Sequence, residues 1–506
     1  MPDFTDPPPT DANESVVPEI RWEPWSASAF QRASRERKPV LLALTASWCH
    51  GCDVMDRTTY RDPDIVRMID AAVVPIRVDA DRRPDVNVRY NLDGWPTTAL
   101  LTPSGEILTG STYLPPAAMA SMLADGTAAL RDRYDDLMGR AEAAAARRRA
   151  ASPARYEPDG EAPAWLAAHM AAEYDAEYGG FGAGGRFLHT ALLRFALTHY
   201  AVTRDERMAS LLAASLDRIS RGGMFDEVDG GFFRYAAGRD FTRPHTEKML
   251  EDQVGLVGIL LDAATFLQRP DYRDRAVDVI RYVRRTLSDP AGSGFFASQK
   301  PDVEFYALSG SIRRSMDPPE VDRTLFTDLN AQAIIAWLDA AVALADPELQ
   351  RFALRSADRV LLGTYDASLG HRHWTDADST ADLLTDQVYA AAAWIRLFDT
   401  TGDRSHLSRA SEVMRTAVRR FWDAENGGFF DRAPGGADEL GMLRDPVKPL
   451  ALNSLAARVL KRIAGATGDA ACAVRARQAL GSVTGTYRSQ GLGAAPYALA
   501  VLEVSS

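Results

Sequence analysis

The stretch Cys49-His50-Gly51-Cys52 sets two of the chain's three cysteines three positions apart, directly behind Trp48. Two thiols at that spacing can form a disulfide, exchange it with another, or supply half of a metal site. Exchange needs a thiolate. At a helix N-terminus Cys49 would meet unpaired N–H groups and the positive end of the helix dipole, which pulls a thiol below its usual pKa of about 8.5. In that role Cys49 is the nucleophile, Cys52 one turn later is the resolving thiol, and a protonated His50 favours the thiolate. Zinc would need about four ligands, and the remaining cysteine, Cys472, stands far away in a helical stretch. No metal or other cofactor is therefore expected. A structural pair without turnover stays open beside the redox reading.

A second dense polar group is "RPHTEKMLEDQ", residues 243–253. Read as a helix opening after Pro244, it puts Glu247 and Glu251 one turn apart on one face, with Lys248 and Asp252 on the next. His245 would then be a general base and Glu247 or Asp252 an acid, the pairing that a sugar epimerase or a glycosidase needs. A capped helix with surface Glu–Lys pairs is the competing reading. Asp226, Asp229, His189, His371, His373 and Asp386 complete the candidates, residue types that taken alone are more often structural than functional.

These residues need elements to hold them. "VLLALTA" before the cysteines is a continuous apolar run, as expected for a strand covered on both faces. A helix follows from Cys49, then the strand "VVPIRVDA", then a hairpin in "TTALLTPSGEIL" around Pro103-Ser104-Gly105, preceded by Trp95-Pro96. Strand, Cys-x-x-Cys at a helix start, and later an X-Pro before an edge strand form the thioredoxin pattern. Pro96, in the cis form, would offer a backbone edge to an extended substrate. Thioredoxins usually carry a buried aspartate six residues before the first cysteine, where this chain has Ala43.

Further along, the texture changes to long amphipathic helices joined by Gly-rich loops. An aromatic-Asp…Gly-Gly-Phe motif recurs, with variations, at Tyr174, Phe225, Ser288, Tyr365 and Trp422. In such a loop Asp caps the turn, the glycines take positive φ and Phe enters the core. About twelve helical stretches follow one another from residue 161, which makes six hairpins. Closed on themselves they form an (α/α)6 toroid around a funnel. The fold class expected is an α/β thioredoxin-like domain followed by this all-α toroid. Residues 1–20 are expected to be disordered, 21–137 to form the first domain, 138–160 a linker, and 161–506 the toroid.

Composition narrows the partners. With 506 residues, 46% of them apolar, the chain can bury a large core, and a net charge of −11 speaks against nucleic acid or an anionic membrane. The acidic, proline-rich start lacks a signal-peptide pattern, and no apolar run is long enough to span a bilayer. A cytoplasmic protein is expected, with a protein disulfide as the partner of the first half and a carbohydrate as the alternative partner of the second.

Taken together, "KPVLLALTASWCHGCDVM", "VVPIRVDADRRPDV", "DGWPTTALLTPSGEILTGSTYLPP" and "GGMFDEVDGGFFRYAAGRDFTRPHTEKMLEDQ" resemble the spermatogenesis-associated protein 20 class of thioredoxin-domain proteins. The resemblance implies an N-terminal thioredoxin-like domain joined to a six-hairpin-glycosidase-like toroid. Members usually carry Cys-His-Trp-Cys, Gly-Gly-Trp-Pro and Pro-His-Phe-Glu-Lys-Met-Leu. Here these are Cys49-His50-Gly51-Cys52, Asp93-Gly94-Trp95-Pro96 and Pro244-His245-Thr246-Glu247-Lys248-Met249-Leu250. The class's Ala-Pro-Lys-Phe-Pro is Gly184-Gly185-Arg186-Phe187-Leu188, and its Ser-Trp-Asn is Asp328-Leu329-Asn330. Both changes fall on the expected funnel. The main functional expectation is a thiol–disulfide oxidoreductase whose toroid docks a substrate; the alternative is a carbohydrate-binding or sugar-isomerising toroid with a structural first domain.

Overall fold

The computed structural model describes residues 19–150, 156–182, 184–376, 379–436 and 438–504. The chain divides into two compact units, Met1–Ser152 with Pro434–Pro446, and Pro153–Ala433 with Val447–Ser506. Of the disorder expected for residues 1–20, residues 1–18 lie outside the described residues, while Ile20 is ordered, its carbonyl accepting the Trp22 N–H at 3.1 Å.

The first unit is built on β1 (Val40–Thr45), buried along its whole length as its apolar run requires. It pairs in parallel with β2 (Val74–Asp79) and antiparallel with β3 (Thr97–Leu101), which turns through Gly105 at φ 90° into β4 (Ile107–Ser111). The sheet order is β2-β1-β3-β4. Around it lie α1 (Ala27–Glu36), α2 (His50–Arg57), α3 (Pro63–Ala72), α4 (Pro84–Tyr90) and α5 (Pro116–Asp132).

Two boundaries differ from the sequence reading. The stretch from residue 138, read as a linker, continues as α6 (Tyr134–Ala150), because an alanine-rich sequence without Gly or Pro after Gly139 propagates helix well. The segment Pro434–Pro446, assigned to the toroid from sequence, belongs to the first unit. Arg89 Nε donates to the Met442 carbonyl at 2.9 Å, and the buried Tyr90 hydroxyl accepts from the Met442 N–H at 2.8 Å. Gly441 is required there, since a Cβ would meet the Tyr90 oxygen at 2.3 Å.

The second unit is a closed double ring of helices. The inner helices are α8 (Thr190–Thr203), α10 (Leu250–Phe266), α14 (Thr327–Leu344), α16 (Leu384–Thr401), α18 (Leu450–Thr467) and α20 (Ala495–Val504). Each packs on the next, and α20 closes on α8. Outside them run α9 (Glu206–Arg221), α11 (Pro270–Thr286), α15 (Pro347–Ser356), α17 (Arg404–Phe421), α19 (Ala470–Gly481) and α7 (Ala162–Glu173), which pairs with α20. The division follows from the sequence. An inner helix such as LEDQVGLVGILLDAATF is apolar on nearly every side, whereas PDYRDRAVDVIRYVRRT keeps one charged face for water. Among the described residues no helix is long and apolar enough to cross a membrane.

The recurrent loops are the joints of this ring. Asp175, Asp226, Asp289, Asp366 and Asp423 each accept backbone N–H bonds from two or three residues ahead. A second part of the joint lies in the inner helices. Gln253 Oε1 accepts from the Phe232 N–H at 2.7 Å and its Nε2 donates to the Phe232 carbonyl at 2.8 Å. Asn330 holds Phe295, Gln387 holds His371 and Asn453 holds Phe429 in the same way. Each buried amide thereby satisfies a backbone donor and acceptor that have no water to turn to.

Candidate functional site

In the first unit the cysteines stand where the sequence sets them. Cys49 is the N-cap of α2, its Sγ accepting the Cys52 N–H at 3.0 Å, and the two are joined as a disulfide with Cα atoms 5.2 Å apart. Both are buried, and His50 is half-buried. Trp48 donates to Asp81 Oδ2 at 2.8 Å and meets the Trp95 ring edge-on at 5.2 Å, and the Trp95–Pro96 peptide is cis. Opposite Ala43 in the sheet register is Arg77, whose guanidinium grips Asp56 with both Nη atoms. Asp56 lies one helical turn beyond Cys52.

In the second unit, residues 243–253 do not form the helix expected from Pro244. Pro244–His245 is the short strand β7, paired with β6 (Tyr235–Ala236), and Lys248–Met249 is β8, paired with β9 (Ser298–Gln299). The helix begins only at Leu250, whose N–H bonds the Ala297 carbonyl. The extended backbone is satisfied by neighbouring chain, and that outweighs the local helical spacing. Glu247 and Glu251 are consequently not helical neighbours.

The extended segment buries Lys248 completely. Its Nζ donates to Asp226 Oδ2 at 2.8 Å and to the Gly230 carbonyl at 2.7 Å, inside a cage of Phe233, Tyr282 and Tyr306. Burial lowers the ammonium pKa to about 8 against the pull of Asp226. Arg313 Nη1 lies 2.9 Å from both Asp226 and Asp229. Burial alone would raise the Asp226 carboxyl, yet Lys248 and Arg313 hold it below the usual range. Lys448 repeats the device, with Nζ at 2.8 Å from Asp423 and 2.6 Å from the Gly427 carbonyl. A feature built twice at ring joints is architectural, and Asp226 and Asp229 belong to it.

The residues that face open space are different ones. A cavity of about 490 Å³ is bounded by Phe187, His189, Arg234, Glu251, Asp252 and the turn before α20. Glu251 and Asp252 open α10, where acids suit the helix dipole. Glu251 is exposed and Asp252 half-buried in the cavity wall. Desolvation by the surrounding protein raises both carboxyls, and the neighbouring Glu251 adds to the rise of Asp252, which stands well above the usual range. Burial raises Glu247 as well, opposed by Arg234, whose Nη1 is 3.6 Å from Glu247 Oε1. His189 moves the other way, lowered by burial and by Arg186, and its backbone is left-handed at φ 47°. A strained non-glycine residue held in a cavity wall is a recurring mark of a working site.

An aromatic stack flanks this group. Phe187 lies flat on Tyr235 at 4.8 Å, and Tyr235 flat on His245 at 4.1 Å. Phe187 is 46% exposed, so one ring face is open. His245 is therefore part of the stack, and Glu247 is the partner of Arg234. Sequence reasoning misses Arg234 and Tyr235 altogether and gives Glu251 no role, because its spacing argument rests on the wrong helix start.

A third cluster joins two inner helices. His373 Nδ1 lies 2.9 and 3.1 Å from the two oxygens of Asp386, which burial raises to about 6 while His373 opposes the rise. Asp328, the second residue of α14, completes a trio whose ligand-type atoms all lie within 4.8 Å of one another. These are the residues that could hold a metal ion. His371 is not among them; it is fully buried, bonded through Nδ1 to Thr364 and lowered to about 3 by burial.

Residues 13–147 match the family Thioredox_DsbH, described as "Protein of unknown function, DUF255". The chain is 31% identical over 307 residues to spermatogenesis-associated protein 20 of Mus musculus and 30% identical to that of Homo sapiens, covering 56% of this chain and 39% of each relative. The match thus spans about two fifths of the relatives' length. Among solved structures, a cellobiose 2-epimerase from Bacillus thermoamylovorans superposes with a TM-score of 0.52 at 12% identity, over 63% of this chain and 84% of that one. A GH76 α-mannanase from Bacteroides thetaiotaomicron gives 0.50 at 10% identity, over 68% and 95%. At such identities the likeness is one of fold, the helical ring of the six-hairpin glycosidase-like proteins. The chain is thus similar to spermatogenesis-associated protein 20 over 307 residues, and its residues 13–147 match the Thioredox_DsbH family.

Proposed function

We propose that the helical ring carries the chemistry and that it processes a carbohydrate by proton transfer, as an epimerase or isomerase does. The observation that carries this reading is the meeting of opposite pKa displacements in one cavity. His189 is shifted toward the neutral form that accepts a proton, while Glu251 and Asp252 are shifted toward the protonated form that donates one. The open face of Phe187 offers the flat apolar surface on which a sugar ring stacks, and Arg234 offers hydrogen bonds to hydroxyls. Solved structures with the same ring include proteins described as cellobiose 2-epimerases and an α-mannanase, which adds support for a saccharide ligand. The test is calorimetric titration with a panel of aldoses, ketoses and β-linked disaccharides. Binding by the wild type that is lost in Glu251→Gln and Asp252→Asn supports the reading; no binding across the panel overturns it.

A second reading concerns the first unit, and its specific observation is Cys49 Sγ at the N-cap of α2 with the Cys52 N–H on it. A thioredoxin-like domain so arranged would exchange disulfides in the cytoplasm. The Cys49 thiolate attacks a substrate disulfide and releases one thiolate, and Cys52 then displaces the second while closing the Cys49–Cys52 bond. Reduced protein mixed with oxidised glutathione should trap a mixed disulfide at Cys49 in the Cys52→Ser variant. Failure to form one would leave the pair structural.

A further inference from the structure

The trio Asp328, His373 and Asp386 is unlike the other buried carboxylate clusters of the ring. Asp175, Asp226 and Asp423 each hold an Arg or Lys at contact distance. Asp328 and Asp386 have none among the described residues. Asp328 accepts from the Leu329 N–H and from the Thr385 hydroxyl, and Asp386 faces His373 and the backbone of Asp328. Among the described residues, the two carboxylates thus share one pocket with an imidazole and neutral donors, and Asp386 is wholly buried and His373 nearly so. Like charges so placed repel and are costly to bury without a compensating cation.

The geometry points to a divalent cation bound by Asp328, His373 and Asp386. Ligands about 2.1 Å from a metal stand ~3–3.5 Å from one another, and the His373–Asp386 pair is already 2.9 to 3.1 Å apart. Asp328 needs only a small side-chain adjustment to complete a facial set of three. One imidazole with two carboxylates suits a first-row ion such as Mn²⁺ or Zn²⁺, and three protein ligands leave positions for water or a substrate oxygen. The scaffold supports this: the three ligands come from three separate segments, the starts of α14 and α16 and the loop before α16, so the ion would tie neighbouring inner helices together. Asp328 is half-buried and close enough to the cavity acid Glu251 for its charge to act there, so a bound ion would look toward the ring's interior. There it would polarise a substrate carbonyl or hydroxyl. The inference does not depend on the sugar reading.

The experiment uses the full chain, stripped with EDTA, kept oxidised at Cys49–Cys52 so that this pair cannot compete, and carrying Cys472→Ser to remove the free thiol. Titration with MnCl₂ and with ZnCl₂ by calorimetry should show one ion per chain. Asp328→Asn and His373→Gln should each weaken binding by more than about 100-fold, beyond the loss expected for an outer-sphere change. Circular dichroism checks that each variant is folded; Asp328, being half-buried and at a helix start, is the variant least able to disturb the fold. Binding of neither ion to this parent chain, or binding that survives both substitutions, overturns the proposal.

Discussion

Lys248 and Glu251 stand three residues apart in the sequence, and their surroundings are opposite. Lys248 lies on an extended strand, fully buried, with every proton directed at Asp226, a carbonyl or an aromatic face. Glu251 lies on the first turn of α10, reaches the cavity and has no ion pair at contact distance among the described residues. Both pKa values are displaced by burial, so displacement alone does not mark a site. What separates them is saturation and repetition. Lys448 rebuilds the Lys248 arrangement at another joint, whereas the Glu251–Asp252 pair occurs once beside a cavity and a strained histidine.

This contrast can be broken by substitution. Lys248→Met removes one of the two cations on the buried Asp226 and leaves it to Arg313, and should cost ~3 kcal/mol in urea unfolding, the low end for a broken buried pair. Lys448→Met should cost less, because Asp423 is more exposed than Asp226. Equal costs would mean that burial is not what governs the pair. Asp252→Asn should do the reverse, lowering turnover on a sugar ~10²–10⁴-fold while leaving the unfolding midpoint unchanged or higher.

Smaller effects sharpen the same distinction. Gln253→Ala orphans the Phe232 N–H and carbonyl, and a loss of ~1–3 kcal/mol is expected by the same unfolding measurement. Phe187→Ala removes the open ring face and should weaken sugar binding by about 1 kcal/mol, read as a rise in Kd with stability unchanged. Asp386 supplies a pH signature. Its carboxyl moves from 3.8 when unfolded to about 6 in the fold, so between those values the native state holds more protons than the unfolded one. In EDTA its stabilising contribution is therefore full below pH 3.8 and lost as pH rises through about 6, and Asp386→Asn should flatten that slope.

Much of the architecture is legible in the residues themselves. The apolar run before Cys49, the hairpin at Gly105 and the succession of helices from residue 161 each follow from periodicity and turn chemistry. The Asp-Gly-Gly-Phe loops behave as their residue types dictate. The helix start at 250 is not legible, because β8 is fixed by Ser298 and Gln299, fifty residues downstream, and no local spacing reports a distant partner. The amide clamp does leave a trace: Gln253, Asn330, Gln387 and Asn453 each occupy the fourth position of an inner helix. The cavity itself has no such trace, since Phe187, His189, Arg234 and Glu251 converge only when the ring closes.

The central claim is that the cavity acids and His189 move a proton on a sugar. Its most direct measurement is proton NMR of an aldose and ketose panel in D₂O with catalytic protein. The account predicts deuterium entering at the carbon beside the carbonyl with the wild type and with Cys49→Ser, and none with Glu251→Gln/Asp252→Asn. No exchange by the wild type on any sugar, or exchange undiminished in the double variant, would contradict it.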